Sequence, residues 1–173
     1  PGSPLPGLAQ VPQMISSVQG SGINVSLETT GTPGRLDASI ELAAYRLVQE
    51  ALTNVSKHAG AGARATVSID WGEDKMTVAV EDDGAGTSQL LTSLSTGNGL
   101  AGLRERIAIA GGDFAAGPTD SGGFRVAARL PVSALPSAAS VSVALPMQGG
   151  PADRTGGGSG QAAGGPGFAR ADP

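Results

Sequence analysis

Residues 46–59, RLVQEALTNVSKHA, constrain the fold more than any other stretch of this chain. At helical spacing Ala44, Leu47, Val48, Ala51, Leu52, Val55 and Ala59 line up as one apolar stripe. Glu50, Asn54 and His58 stand four apart on another face, with Lys57 three beyond Asn54. An acid, a carboxamide, an ammonium and an imidazole on one ridge are costly to bury. They suit a charged, metal-bearing ligand. Taken alone, they suit a solvated helix face equally well.

The chain around this helix is 173 residues long, enough for one domain with length to spare. A core of roughly 130 residues buries about two-thirds of its unfolded surface, so it is expected to fold alone. The net charge is -4, which leaves no electrostatic footprint for nucleic acid and no polybasic membrane signal. With no cysteine, disulfides and thiolate metal sites are excluded. No apolar run reaches the roughly 18 residues of a spanning helix, and no signal peptide opens the chain. The first residue is Pro1 and the first methionine Met14, so a piece of a longer parent is expected.

Glycine and proline are unevenly placed, and they set the boundaries. Residues 1–19 read as a linker followed by the end of an arriving upstream helix at 14–18. Ile23, Val25 and Leu27 alternate as a strand over 23–29. Asp37 is the expected N-cap of the central helix, with Glu41 in its first turn and Gly60 and Gly62 at its end. Residues 65–71 and 76–80 alternate as a hairpin with one buried face, turning at 72–74. The polar stretch 87–96 reads as a short helix or a mobile lid. A helix over 100–110 turns Leu100, Leu103 and Ile107 inward. Short strands follow at 113–116 and 124–130. Residues 133–173, rich in Gly, Pro and Ala, are expected to be a disordered tail. The folded part, 20–132, is therefore expected to be an α+β, two-layer α/β sandwich. Its sheet is mixed, mostly antiparallel, and covered on one face by helices.

Four stretches carry chemistry. On the helical ridge, the Asn54 carbonyl is a reasonable single ligand for Mg2+, a hard ion that keeps waters and phosphate oxygens. Lys57 offers a point charge for a phosphate. Glu50 can orient a metal-bound water or serve as a general base. The second stretch is Asp82-Asp83-Gly84-Ala85-Gly86, where a carboxylate at a strand end can accept the exocyclic amine of adenine. Its glycines would let backbone approach a flat ring. The bland reading is an acidic turn. The third is Gly97-Asn98-Gly99-Leu100-Ala101-Gly102, a glycine loop feeding a helix start that exposes N–H groups to phosphate. It also has the G-x-G-x-x-G spacing, but not directly behind a strand in a βαβ unit. The fourth, Gly122-Gly123, reads by itself as a turn. A single histidine cannot build a His-rich zinc site, and no G-x-S-x-G elbow is present.

Together these stretches resemble the catalytic, ATP-binding domain of two-component sensor histidine kinases. These belong to the ATPase superfamily shared with gyrase, the heat-shock chaperone of the ninety-kilodalton class and MutL. The nitrate-sensor-like branch has an N box similar to RLVQEALTNVSKHA. VEDDGAG resembles its first glycine box, GNGLAGLRERI its second, and GGFRVAARLP its terminal strand. The resemblance covers about residues 23–132. It implies that Asn54 coordinates Mg2+, that Asp82 holds the adenine amine, and that Gly84 and Gly86 line the adenine pocket. It further implies Lys57 and His58 near the phosphates, and Gly97, Gly99 and Gly102 as lid hinge and phosphate cradle. Glu50 occupies the place of the hydrolytic glutamate of the gyrase-like relatives. Where the family often has a threonine after the last glycine pair, this chain has Phe124.

The resemblance implies ATP and Mg2+ as cofactors and histidine phosphorylation as the reaction. The acceptor histidine belongs to a dimerisation domain that is not among the motifs here; a response regulator is the onward partner. Neither nucleic acid nor direct membrane contact is expected. The isolated domain is expected to be a monomer in the cytoplasm, from a parent that can be membrane-anchored. Two alternatives stay open: an anti-sigma-type serine kinase, and a non-catalytic nucleotide-responsive interaction module.

Overall fold

The apolar stripe at 44–59 does form a helix. In a computed structural model that describes residues 3–59, 62–84 and 98–133, helix α2 (Ala38–His58) buries Ala44, Leu47, Val48, Ala51, Leu52 and Val55. Asp37 is its N-cap by backbone only. Its carbonyl accepts the N–H groups of Ile40 and Glu41, both at 2.9 Å, while its side chain makes no capping bond. Lys57 and His58 lie in the last turn, where cations complement the helix dipole.

The stripe is covered by a five-stranded sheet of order β1-β2-β3-β5-β4. Its strands are β1 (Asn24–Gly31), β2 (Arg64–Trp71), β3 (Lys75–Asp82), β4 (Asp113–Pro118) and β5 (Phe124–Pro131). Helix α2 is the crossover that lets β1 and β2 run parallel; the other three pairings are antiparallel. The sheet is therefore mixed and mostly antiparallel, in the expected α+β class.

Strand alternation sorts the sheet into two faces. One row in register is Val67, Val80, Val126 and Ala116; another is Ile69, Val78, Ala128 and Phe114. These rows meet α2 and helix α3 (Asn98–Ile109), whose Leu103 and Ile107 are buried and whose Leu100 packs on the core edge. The opposite rows are polar or small: one is Ser68, Ala79, Ala127 and Ala115, and the rows on either side of it carry charge. Glu81 pairs with Arg125 at 3.4 Å, and Lys75 with Asp113 at 3.3 Å. Both pairs are solvent-exposed and worth little. Trp71 and Tyr45 pack partly buried on the core.

The structure corrects the reading of the N-terminal segment. The helix expected at 14–18 begins earlier, as α1 (Val11–Gln19), behind a 3-10 turn at Leu8–Gln10. Pro12 sits in its first turn, where a missing N–H costs no helical bond. Val11 and Ile15, one turn apart, are fully buried in the same core as α2. Gln19 Nε2 donates to the Val25 carbonyl at 2.8 Å, tying α1 to the edge strand. Residues 11–15 thus contribute to the domain core. Among the described residues no helix is long and apolar enough to cross a membrane. The lid or helix expected at 87–96, Gly60, Gly86, Gly97 and the tail beyond 133 lie outside the described residues.

Leu47 has no exposed surface. Leu47→Ala is expected to cost about 2–5 kcal/mol of folding stability, read as a lowered midpoint in urea unfolding with an unchanged slope.

Candidate functional site

Two of the residues singled out in sequence, 28 positions apart, meet across one narrow cleft. Asn54 reaches it from α2 and Asp82 from the end of β3, with Ala51, Val80, Phe124 and Val126 as apolar walls. Asp82 faces the helices because it continues the parity of Val78 and Val80, and it stands opposite Ala65 and Phe124 in the sheet. It is 4% exposed, the one buried charged residue among those described. Its Oδ1 accepts the Gly84 N–H at 2.9 Å.

Burial pushes the Asp82 carboxyl above its ordinary value of 3.8. The N–H groups of Gly84 and Phe124 pull against that, while Asp83 and Glu81 add to it. The sign follows directly. A raised carboxyl pKa means that the ionised form costs the fold stability above that pKa. The cost shrinks as pH falls through it toward 3.8. A buried carboxylate held at such a cost, beside a cleft, makes Asp82 a candidate site residue.

The loop after Asp82 is held by glycines for a steric reason. Gly84 has φ of 79°, and a Cβ there would strike the Gly122 carbonyl oxygen. A Cβ on Gly123 would strike the Asp82 carbonyl oxygen. The pair Gly122-Gly123, which reads as a plain turn in sequence, is therefore half of a backbone-on-backbone contact that shapes the Asp82 end of the cleft. Thr119 closes that turn: its N–H donates to the Gly123 carbonyl at 2.8 Å, and its Oγ1 accepts the Gly123 N–H at 3.0 Å.

A second cleft lies one helical turn from Asn54. Glu50 lines it from α2, facing Gly99, Gly102, Leu103 and Arg106 of α3. A Cβ on Gly99 would run into Glu50 Oε1, the far end of a flexible side chain, so the carboxylate reaches the backbone of α3 here. A Cβ on Gly102 meets no atom within 4 Å. Arg46 also lines this cleft, with its Nη1 donating to Gln49 Oε1 at 2.7 Å. Lys57 is exposed and His58 half-buried at the end of α2, and neither lines either cleft.

Sequence reasoning missed Arg46 and Arg106. The signal was present in spacing alone, since Arg46 stands four before Glu50 and Arg106 four after Gly102. The two glycines of this region are expected to separate in a thermal unfolding assay. Gly84→Ala should destabilise by about 1–3 kcal/mol or more, from backbone strain and collision. Gly102→Ala should be neutral or stabilising by roughly 0.5–1 kcal/mol, the ordinary helix preference.

Comparison with known proteins gives this geometry a family. Residues 39–134 match the family described as "Histidine kinase-, DNA gyrase B-, and HSP90-like ATPase". The chain is 35% identical over 129 residues to the sensor histidine kinase YxjM of Bacillus subtilis, covering 73% of this chain and 30% of that protein. It is 36% identical over 91 residues to the oxygen sensor histidine kinase NreB of Staphylococcus carnosus, covering 53% and 26%. The chain thus spans less than a third of the length of these relatives. Among solved structures, the catalytic domain of the histidine kinase ThkA superposes with a TM-score of 0.57 at 15% identity, covering 72% of this chain and 90% of that one. The histidine kinase domain of a blue-light-activated kinase from Erythrobacter litoralis gives 0.59 at 19%, covering 77% and 66%. At those identities the likeness concerns the fold. With both clefts and four of the five strands, β2 to β5, inside the matched region, the chain belongs to the family of histidine kinase-, DNA gyrase B- and HSP90-like ATPases.

Proposed function

We propose that this chain is the ATP- and Mg2+-binding catalytic domain of a sensor histidine kinase, supplying the γ-phosphoryl group to a histidine on a separate dimerisation domain. One observation carries the reading: Asn54 and a buried Asp82 carboxylate, from different elements, face one cleft. In this reading Asp82 accepts the adenine amine while Gly84 and Gly86 let backbone approach the ring. Lys57 and His58, with Gly97, Gly99 and Gly102, serve the phosphates. The carboxylate suits a donor amine and is already desolvated, so little further cost arises when the base enters.

Mg2+ fits the donors that this cleft offers. Among the described residues no group of three or more His, Cys, Asp or Glu forms a cage. The Asn54 carbonyl is a hard oxygen beside the cleft, with Glu50 one turn away on the same helix. Such a sparse set matches an ion that takes most of its ligands from water and phosphate. When bound, the ion would neutralise charge on the phosphate oxygens. Asn54 would hold it, and Glu50 would orient one of its waters.

The transfer itself is simple in balance. An imidazole nitrogen of the acceptor forms a P–N bond to the γ-phosphorus, the P–O bond to ADP breaks, and the ring's other N–H proton passes to solvent or a nearby base. Positioning and charge neutralisation are the protein's contribution. A response regulator then takes the phosphoryl group. The domain works in the cytoplasm, as a monomer when isolated.

In calorimetric titration with a non-hydrolysable ATP analogue, Mg2+ should strengthen binding, and Asn54→Ala should abolish that strengthening while the domain stays folded. Equal Mg2+ dependence in the variant would sink the metal assignment. Asp82→Asn should weaken binding by roughly 10–100-fold, the cost of a lost buried hydrogen bond. Because the adenine amine favours the ionised carboxylate, affinity should also fall as pH drops through the raised Asp82 pKa. Carboxyl NMR titration should then show a lower Asp82 pKa with nucleotide bound than without it. An unmoved titration would exclude Asp82 as the adenine partner.

A further inference from the structure

The geometry points to Thr119 as a positioning residue for base recognition: its hydroxyl holds the turn between β4 and β5 against Asp82, and so aims the carboxylate that receives the adenine amine. This rests on the proposed function and adds a residue outside the cleft on which the selectivity for the base depends.

The turn runs from Thr119 to Gly123, and its hydrogen bonds return to Thr119. The Thr119 N–H donates to the Gly123 carbonyl at 2.8 Å, and the Gly122 N–H donates to the Thr119 carbonyl at 3.0 Å. Any residue with a backbone N–H would make those two bonds. A third needs a side-chain acceptor at position 119: the Gly123 N–H donates to Thr119 Oγ1 at 3.0 Å, and the same oxygen lies 2.9 Å from Ser121 Oγ.

One peptide beyond Gly123 is a support of the Asp82 carboxylate. The Phe124 N–H hydrogen-bonds that carboxyl, and the Gly84 N–H donates to its Oδ1 at 2.9 Å. The two donors sit on segments that meet at one contact, Gly84 against the Gly122 carbonyl and Gly123 against the Asp82 carbonyl, where no Cβ fits. Gly84 and Gly122 hold φ of 79° and 89°, and glycine loses more freedom on ordering than any other residue. A contact built from such backbone gains most from an anchor outside it. The Thr119 hydroxyl is placed to be that anchor, directly after Pro118, which pairs with Phe124 across the sheet.

The aim of Asp82 matters because little else in its cleft can read a base. Its cross-strand neighbours, Ala65 and Phe124, have apolar side chains. Among the described residues lining the cleft, Asn54 and Asp82 carry the polar side chains. With Asn54 given to the metal, the amine meets one carboxylate, and hydrogen bonds weaken steeply with misalignment. Thr119 lines neither cleft, so its hydroxyl reaches the nucleotide only through the turn.

The test is calorimetric titration of the full 173-residue chain with a non-hydrolysable ATP analogue and with its inosine counterpart, which has a carbonyl in place of the amine. Thr119→Val keeps the shape of the side chain and removes the hydroxyl. It should weaken the ATP analogue by roughly three- to tenfold, the range of one hydrogen bond, and leave the inosine analogue within about twofold. Thr119→Ser should restore the affinity. In an Asp82→Asn background, Thr119→Val should add no further loss, because both changes act on one interaction. A hydroxyl that serves folding alone would lower the melting temperature and leave the ratio of the two affinities unchanged. That unchanged ratio, or full additivity with Asp82→Asn, would overturn the assignment. A second readout needs no altered chain: the ATP analogue should slow amide hydrogen exchange at Gly123 and Phe124. Exchange at both unchanged by bound nucleotide would also overturn it. An unaltered chain that binds neither analogue, or both equally, would instead overturn the function on which this inference rests.

Discussion

Everything in this domain depends on the burial of one face of α2 against one face of the sheet. Leu47, Val48, Leu52 and Val55 lose essentially all contact with water, and Val67, Val78, Val80 and Val126 lose theirs beneath them. Each such side chain is worth about 1.5–3 kcal/mol when fully buried. That stripe fixes the rotation of the helix about its axis. Once the rotation is set, Glu50 must point to α3 and Asn54 to the end of β3. The polar ridge is thus positioned by the apolar one, and no polar contact is needed to aim it.

The same burial creates the site's one costly group. Asp82 is the last residue of a strand whose alternate positions belong to the core, so its parity drives a carboxylate inward. The N–H groups of Gly84 and Phe124 support it, and the glycines at 84, 122 and 123 leave the space for that backbone to close. A structure optimised only for stability would place an apolar residue there. An acid there, with its pKa raised, costs stability, and groups held at such a cost are common at functional sites.

The N-terminal helix shows where local reading is weakest. Residues 1–12 are rich in Pro and Gly and carry no charge, which reads as linker. Yet Val11 and Ile15, one turn apart and flanked by Leu8, Met14 and Val18, dock a helix when a core surface is waiting. A nine-residue helix has little stability of its own, and tertiary packing supplies the rest.

Periodicity alone determined the central helix, the hairpin and the last strand, because each keeps one chemical face at a fixed repeat. The motifs at Asn54, Asp82, Gly99 and Gly102 were likewise legible, since their residue types have few uses in combination. Sequence could not say that β1 pairs parallel to β2, because pairing partners are set by the crossover and not by either strand. It could not reveal that Gly122-Gly123 abuts Asp82 and Gly84, or that Arg46 and Arg106 share one groove. Those are contacts between segments distant in the chain. Their geometry exists only after the hydrophobic stripe has chosen which faces meet.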